Sequence, residues 1–179
     1  MKKEILSWVK AIAIAFLLYV LCRQFIFTAK TVFGESMAPT FHNGDIVIVS
    51  KINQIHRSDL IVFNAPDSEL EEVYIKRVIG VPGDSIEMKD DRLYINNEPV
   101  SEEYLIEEKQ KASLGYFTED FTLKDYTGKS KVPKGHFFVM GDNRPISKDS
   151  RIIGFIPEDH IIGEVVFQMY PFSDLGTPK

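Results

Sequence analysis

Residues 74–84 of the chain read YIKRVIGVPGD, an apolar run that carries two adjacent basic residues and ends in a proline–glycine turn signal. The β-branched residues before that turn predict a strand over 73–81. Because successive side chains of a strand point to opposite faces, Lys76 and Arg77 are expected on opposite sides of it. Both faces are otherwise largely apolar, which predicts a central, buried strand.

A lysine inside such a strand has two interpretations. Burial disfavours the ammonium form and lowers the pKa of Lys76, so that the neutral amine becomes available as a general base near physiological pH. Alternatively the segment is an edge strand, where a lysine discourages pairing with other chains. The strand taken alone leaves both interpretations open.

Short β-branched and aromatic runs separated by turn residues continue outward from this strand. No convincing helical period appears after residue 30. We therefore predict a mainly β body of antiparallel sheet, with a sandwich-like or barrel-like architecture. The further predicted strands are 45–50, 60–63, 85–88, 92–95, 98–100, 136–140 and 163–170.

One part of the body, 101–134, lacks this pattern. It is polar, rich in Glu and Lys, and without a clear period. We predict a variable excursion of weak strands and loops from the main body, with its charges on a solvated face.

The N-terminal segment contains the one long apolar stretch of the sequence, Ile5 to Phe27. A membrane-spanning helix needs about 20 mostly apolar residues, so we predict an uncleaved transmembrane anchor over 5–27. A cleaved secretory signal is one alternative, although the best cleavage point, after Ala29, would place the bulky Phe27 at −3. A buried core helix is the other, although this stretch is longer than core helices usually are.

Charge is distributed unevenly between that segment and the body. Five basic residues and one glutamate give residues 1–30 a charge of +4, and since the whole chain carries −5, the rest carries −9. Three of the lysines, Lys2, Lys3 and Lys10, precede the uninterrupted apolar run from Ala11 to Cys22. The positive-inside tendency therefore places 1–4 in the cytoplasm and 28–179 outside it. The sequence therefore predicts a single-pass protein of the cell membrane, in contact with the lipid bilayer.

Composition narrows the chemistry of this 179-residue chain. The single cysteine, Cys22, excludes an intramolecular disulfide and a cysteine-cluster metal site. None of the four histidines has the spacing of a short metal motif, so the histidines do not predict a metal site. The net negative charge makes nucleic acid an unexpected partner.

Two further segments carry residues suited to catalysis. Residues 34–40, GESMAPT, place Ser36 in a turn between a glycine and a proline, which can present its hydroxyl together with its own backbone N–H. Residues 141–151, GDNRPISKDSR, follow an apolar strand and are dense in short polar and charged side chains. Taken alone, each segment is also ordinary turn or surface-loop chemistry.

The order of these segments resembles that of one enzyme family. An N-terminal anchor followed by S-M-x-P-T, KRVIGxPGD and GDNRxxSxDSR is similar to the type I signal peptidases, the membrane-bound Ser/Lys proteases of peptidase family S26. Gly34 and the small size resemble the Bacillus-type branch. The resemblance runs from about residue 1 to about residue 170 and weakens in 101–134.

The resemblance implies a Ser/Lys dyad in which Ser36 is the acylating nucleophile and Lys76 the general base. Ser147 matches the family serine that hydrogen-bonds to this lysine and orients it. The other matched positions are a supporting ion-pair cluster of Arg77, Asp149 and Arg151, a support loop with Asp142 and Asn143, and the site-lining residues Gly34, Met37 and Tyr74.

Two positions depart from the wider family pattern. Gly34 stands where many relatives have a serine that donates to the oxyanion hole, so the hole would depend more on the Ser36 backbone N–H, with a water or another donor. Pro145 and Ile146 replace a more polar pair before Ser147, which bears on the local geometry of that loop.

The implied function is removal of signal peptides from secretory preproteins by acyl transfer, after small residues at −1 and −3, without a metal or cofactor. Two other classes are open. A Ser/Lys autoprotease of the LexA-like repressor type shares the dyad but should carry a DNA-binding domain and no anchor. A membrane-anchored β-domain that binds exported peptides without cutting them should lack Ser36 or Lys76, and a preprotein cleavage assay separates these classes.

Overall fold

The computed structural model describes residues 2–66, 72–112 and 116–178. That part of the chain contains one long N-terminal helix, a β-sheet body and three short helices. The helices are α1 (Lys2–Phe25), α2 (Ile106–Lys111), α3 (Leu123–Thr127) and α4 (Ser150–Ile153). The strands are β1 (Phe27–Thr31), β2 (Ile46–Ser50), β3 (Leu60–Asn64), β4 (Val73–Gly80), β5 (Ile86–Lys89), β6 (Arg92–Ile95), β7 (Glu98–Val100), β8 (Phe121–Thr122), β9 (His136–Met140), β10 (Ile156–Pro157) and β11 (Ile161–Tyr170).

Helix α1 is mostly apolar between its charged ends, and its described side chains are exposed. Its 24 residues, at 1.5 Å each, extend about 36 Å, which exceeds the roughly 30 Å of a bilayer's hydrocarbon core. Among the described helices it alone is long and apolar enough to cross a membrane. The helix ends at Phe25, two residues before the predicted span does, because the chain pairs as β1 from Phe27 onward.

The junction between α1 and the body is held by Lys51, which directly follows β2. Its backbone N–H donates to the Ile26 carbonyl at 2.8 Å, and its Nζ donates to the Gln24 carbonyl at 2.9 Å. A cation at a helix C-terminus satisfies carbonyls that have no partner within the helix and favours the negative end of the helix dipole. The end of α1 is therefore tied directly to the sheet.

The predicted antiparallel body is confirmed, and the described strands form two sheets. The larger has the order β1-β2-β11-β3-β4-β9-β10 and the smaller the order β7-β6-β5-β8. Strand β11 joins the two parts of the larger sheet, because it pairs with β2 on one side and β3 on the other. Asp90-Asp91 and Asn96-Asn97, all at positive φ, turn the chain between β5, β6 and β7 as two-residue hairpin loops do.

Strand β4 carries the motif quoted first and lies inside the larger sheet, between β3 and β9. Lys76 and Arg77 are each only 3% exposed, so the central-strand interpretation is correct and the edge-strand alternative is wrong. Lys76 pairs with Ile61 of β3, whereas pairing with β9 begins at Arg77, opposite Met140. The first residues of β4 are therefore placed beside a groove on that side.

Apolar clusters pack on the two faces of β4, as the alternation of its side chains predicts. The cluster on the face of Ile75 contains Val32, Met37, Phe41, Val47, Val49, Leu60, Val62 and Val165. The cluster on the face of Val78 contains Ile61, Phe63, Phe137, Val139 and Ile156. Burying a side chain of this size stabilises the fold by about 1.5–3 kcal/mol relative to leaving it exposed, so β4 is rigidly held.

The 101–134 segment is docked on the body more firmly than its composition predicts. It contains a 3₁₀ turn at Glu103–Leu105, helices α2 and α3, and strand β8, which pairs with β5. Leu105 and Leu123 are buried, and Glu102 is only 6% exposed. The expectation that its charges form a solvated face is therefore wrong for Glu102, because a buried guanidinium from another loop neutralises that carboxylate.

Candidate active site

Ser36 lies in the turn that connects β1 to β2. Gly34 takes a left-handed conformation (φ +78°), which a glycine adopts without steric cost. Its N–H donates to the Asn43 Oδ1 at 3.1 Å, and Met37, the residue after the serine, is buried at 1% exposure. The turn is thus anchored on both sides of Ser36, which is itself partly exposed.

The turn is also held by the 141–151 loop. The Asn143 N–H donates to the Ser36 carbonyl at 3.1 Å, and the Asn143 Nδ2 donates to the Glu35 carbonyl at 3.0 Å. The backbone N–H of Ser36 donates to no acceptor among the described residues. Asn143 therefore fixes the orientation of the peptide that carries Ser36 while leaving that N–H available.

Lys76 reaches Ser36 from strand β4. Its Nζ lies 2.7 Å from the Ser36 Oγ and donates to the Ile75 carbonyl at 3.0 Å. Burial lowers the pKa of Lys76 from 10.5 to about 8, against the opposing effect of the Asp149 and Asp142 carboxylates. The lowered pKa makes the neutral amine accessible next to the serine hydroxyl near pH 8.

Tyr74 lies two residues before this lysine, on the same face of β4. The centre of its ring is 5.4 Å from the Lys76 Nζ, and its ring packs edge-on against Phe63 at 6.1 Å between centroids. Tyr74 therefore lies beside the lysine and lines the same groove.

Gly141 allows the 141–151 loop to approach the serine turn closely. A Cβ on this residue would lie 2.2 Å from the Ser147 Oγ and 2.4 Å from the Ser36 carbonyl oxygen, both far inside van der Waals contact. The close approach also places Ser147, only 5% exposed, in the interior. No side chain larger than hydrogen fits at position 141 without displacing one of these two serines.

The Ser147 hydroxyl is buried, and it hydrogen-bonds to no atom in the described part of the chain. The expected hydrogen bond to Lys76 is therefore not formed here; the lysine Nζ contacts the Ser36 Oγ and the Ile75 carbonyl instead. A buried hydroxyl without a partner costs about 1–3 kcal/mol, which makes Ser147 an unsatisfied group beside the site.

Arg77 points away from Lys76, as strand alternation predicts, and pairs with Asp142. Its Nε and Nη2 donate to the two carboxylate oxygens at 3.0 and 2.7 Å, and both side chains are buried. The Arg77 guanidinium also stacks on the Tyr104 ring, 3.8 Å from its centre. A bidentate pair of this kind fixes geometry strongly, whereas its net contribution to stability is small.

Asp149 and Arg151 form a second pair within the loop. The Asp149 carboxylate accepts from the Arg151 Nε at 2.9 Å and Nη2 at 2.8 Å, and from the Gly141 N–H at 2.9 Å. The single cluster expected from Arg77, Asp149 and Arg151 thus contains two principal pairs, Arg77–Asp142 and Asp149–Arg151. The Gly141 peptide, which directly precedes Asp142, connects them.

A groove of about 690 Å³ runs along the serine and the lysine. One side is β1 and the residues that follow it, and the other is the start of β4, where β9 has not yet begun to pair. Its lining residues are Ala29, Lys30, Thr31, Val32, Phe33, Gly34, Ser36, Met37, Val62, Glu72, Val73, Tyr74, Ile75 and Lys76.

Several residues around the site carried no clear signal in the sequence. Strand β1, one side of the groove, directly follows the apolar helix and was assigned to no predicted strand. Two buried charged residues also had no signal of their own: Arg144, inside the 141–151 motif, and Glu102, in the polar 101–134 segment.

Within the described ranges, no group of three or more His, Cys, Asp or Glu side chains could hold a metal ion.

The chain is similar to known proteins over nearly its full length. The family model described as "Signal peptidase, peptidase S26" matches residues 5–170. Signal peptidase IB of Staphylococcus aureus (strain COL) is 43% identical over 182 residues, covering 97% of this chain and 94% of the relative. Signal peptidase I T of Bacillus subtilis (strain 168) is 45% identical over 181 residues, covering 97% and 90%.

A solved structure is also similar. The crystal structure of a signal peptidase I from Enterococcus faecalis V583 matches with a TM-score of 0.60 and 40% sequence identity. The match covers 64% of this chain and 98% of that chain.

Proposed function

The chain belongs to the signal peptidase family, peptidase S26, which removes signal peptides from preproteins, and we propose that it does so with a Ser36–Lys76 dyad. The observation that carries the dyad is the 2.7 Å separation between the Lys76 Nζ and the Ser36 Oγ at the groove. A general base must lie within hydrogen-bond reach of the proton it removes and have a pKa near the working pH.

The first step is acylation. Neutral Lys76 takes the proton of the Ser36 hydroxyl as its Oγ attacks the scissile carbonyl, and a tetrahedral intermediate forms. The unengaged Ser36 N–H donates to the developing oxyanion. The Gly34 N–H is occupied by the Asn43 side chain, so it does not contribute to the oxyanion hole in this arrangement.

The second half of the reaction returns the enzyme to its starting state. Protonated Lys76 gives its proton to the leaving amine, and the carbon–nitrogen bond breaks to leave an acyl-enzyme on Ser36. A water then loses a proton to Lys76 and attacks the ester, which releases the second product and the serine hydroxyl. Neither half of the reaction requires a metal or an organic cofactor.

We assign supporting roles to the loop residues by what they touch. Ser147, whose buried hydroxyl has no other partner among the described residues, accepts a hydrogen bond during the reaction from the Lys76 N–H that neither Ser36 nor the Ile75 carbonyl engages. Asn143 holds the Ser36 peptide, and the Arg77–Asp142 and Asp149–Arg151 pairs shape the loop.

The substrate binds in the groove as an extended strand. The open edge of β4 near Lys76 and strand β1 across the groove offer backbone groups to a peptide between them, as in strand-addition recognition. Val32, Met37 and Val62 contribute to the groove lining and are themselves buried. We expect cleavage after small residues at −1 and −3.

Helix α1 anchors the enzyme in the lipid bilayer, with 1–4 cytoplasmic, the helix from residue 5 to Phe25 spanning, and the body from β1 onward extracytoplasmic. The support is the charge division across the helix and the short link to β1, which keeps the groove close to the helix end. Confining enzyme and preprotein to one membrane raises their effective concentration.

N-terminal sequencing of the product of a purified preprotein tests this function. In detergent solution the wild-type enzyme should release a mature chain that begins directly after a small residue, and Ser36→Ala should release none. An unchanged product from Ser36→Ala would refute the dyad, whereas a folded, inactive wild-type protein would favour the peptide-binding alternative.

A further inference from the structure

Arg144 is fully buried, at 1% exposure, and the reaction described above gives it no role. Its Nε donates to the Gly141 carbonyl at 3.1 Å, and its Nη1 donates to the Thr118 Oγ1 at 3.3 Å. Its Nη2 donates to the Tyr104 Oη at 3.2 Å and to the Glu102 carboxylate. The guanidinium thus joins the 141–151 loop to three side chains of the 101–134 segment.

The Gly141 contact links this guanidinium to the dyad. The Gly141 N–H is held by Asp149, and its carbonyl is held by Arg144. Between those two hydrogen bonds, the α-carbon of Gly141 packs against the carbonyl of Ser36 and the side chain of Ser147. The peptides on either side of a close contact with the serine turn are therefore fixed by charged side chains.

The 101–134 segment supplies the groups that hold Arg144 in place. Glu102 is also paired with Lys109 at 2.9 Å; although burial raises its pKa, the charges of Arg144 and Lys109 outweigh that effect and lower it. The carboxylate is thus ionised throughout the pH range near 8. The Tyr104 ring also stacks on the Arg77 guanidinium, so this segment supports both buried arginines behind the site.

We propose that Arg144 and Glu102 are positioning residues, through which the 101–134 segment fixes Gly141 and so the alignment of Ser36 with Lys76. The inference rests on the proposed dyad. It gives the 101–134 segment a function in catalysis. Breaking this buried ion pair should lower the stability of the fold. Because the pair also holds the geometry of the loop, turnover should fall as well at temperatures where the variant is folded.

The test compares Glu102→Gln and Tyr104→Phe with Glu103→Gln, a control at the exposed neighbouring glutamate. The rate constant kcat and the KM for a preprotein are measured in detergent, well below the Tm of each variant. Glu102→Gln should lower kcat about 10-fold, because small misplacements of reacting groups are costly. Tyr104→Phe should lower it less. The KM should stay unchanged, because neither residue lines the groove.

A purely structural role would lower the Tm of Glu102→Gln and leave kcat at the wild-type value, and that result would overturn the inference. A change confined to KM would overturn it as well. If Glu102→Gln does not fold, Tyr104→Phe decides by the same kcat criterion, since it removes one hydroxyl only.

If the Ser36–Lys76 dyad itself is wrong, the variants show a different combination of cleavage activities. In that case Ser36→Ala cleaves the preprotein, whatever the Glu102 variant does. An inactive Ser36→Ala enzyme together with a fully active Glu102→Gln enzyme removes the positioning role alone.

Discussion

Gly141→Ala is a small change that should nearly abolish activity. The new methyl group would lie 2.4 Å from the Ser36 carbonyl oxygen and 2.2 Å from the Ser147 Oγ. Because ordinary contacts begin at 3.4 Å, the Ser36 turn or the 141–151 loop must move by about 1 Å. A displacement of about that size near reacting groups costs roughly 100-fold in rate. Overpacking should also destabilise the fold by about 1–3 kcal/mol.

The assay is kcat/KM for a preprotein, with the free energy of unfolding measured in urea on the same samples. The double variant Gly141→Ala with Ser147→Gly identifies the contact that matters. It removes the serine atoms but leaves the clash with the Ser36 carbonyl, so activity should stay low relative to Ser147→Gly alone. A folded Gly141→Ala enzyme with wild-type kcat/KM would refute the packing described around Ser36.

Three further predictions concern the groups around Lys76. Because only its neutral form accepts a proton, kcat/KM should rise about 10-fold per pH unit below an apparent pKa of about 8 and level off above it; a flat profile with chemistry rate-limiting would contradict this. Asp142→Asn should lower the free energy of unfolding in urea by about 3–5 kcal/mol, because it removes the carboxylate that pairs with the buried Arg77 guanidinium. A loss below about 1 kcal/mol would contradict the presence of a buried ion pair between these residues. Ser147→Ala should raise the free energy of unfolding in urea by about 1–3 kcal/mol, because it removes a buried hydroxyl that has no hydrogen-bond partner among the described residues. It should nevertheless lower kcat, and an unchanged kcat would remove the proposed role of Ser147.

The central strand was predictable because side-chain alternation in a strand has a fixed period of two. That period alone assigns Lys76 and Arg77 to opposite faces, and the two side chains are buried on opposite sides of β4. The length of the N-terminal helix was equally predictable, since the length of a helix follows directly from its number of residues.

The sequence did not indicate strand β1, because the strand starts only two residues after the helix ends. Its alternation over five residues is masked by the long apolar run before it. The burial of Glu102 was not predicted for a different reason. A glutamate in a polar segment is usually solvated, and nothing local indicates that its partner is Arg144, 42 positions along the chain.

The pairing of the supporting charges depends on loop geometry, which spacing alone does not determine. Asp149 lies close to Arg151 in sequence and pairs with it, whereas Arg77 pairs across the fold with Asp142. The sequence motifs identified these four charged residues, and the fold determines that they form the pairs Arg77–Asp142 and Asp149–Arg151.

The most direct test of the dyad is the single-turnover cleavage rate of purified Lys76→Ala, compared with Lys89→Ala, a control at an exposed lysine. Both proteins are first checked for wild-type folding by circular dichroism and Tm. We predict no detectable cleavage of a preprotein by Lys76→Ala at any pH at which the wild-type enzyme is active, and wild-type cleavage by Lys89→Ala. Cleavage by folded Lys76→Ala at the wild-type rate would contradict the dyad.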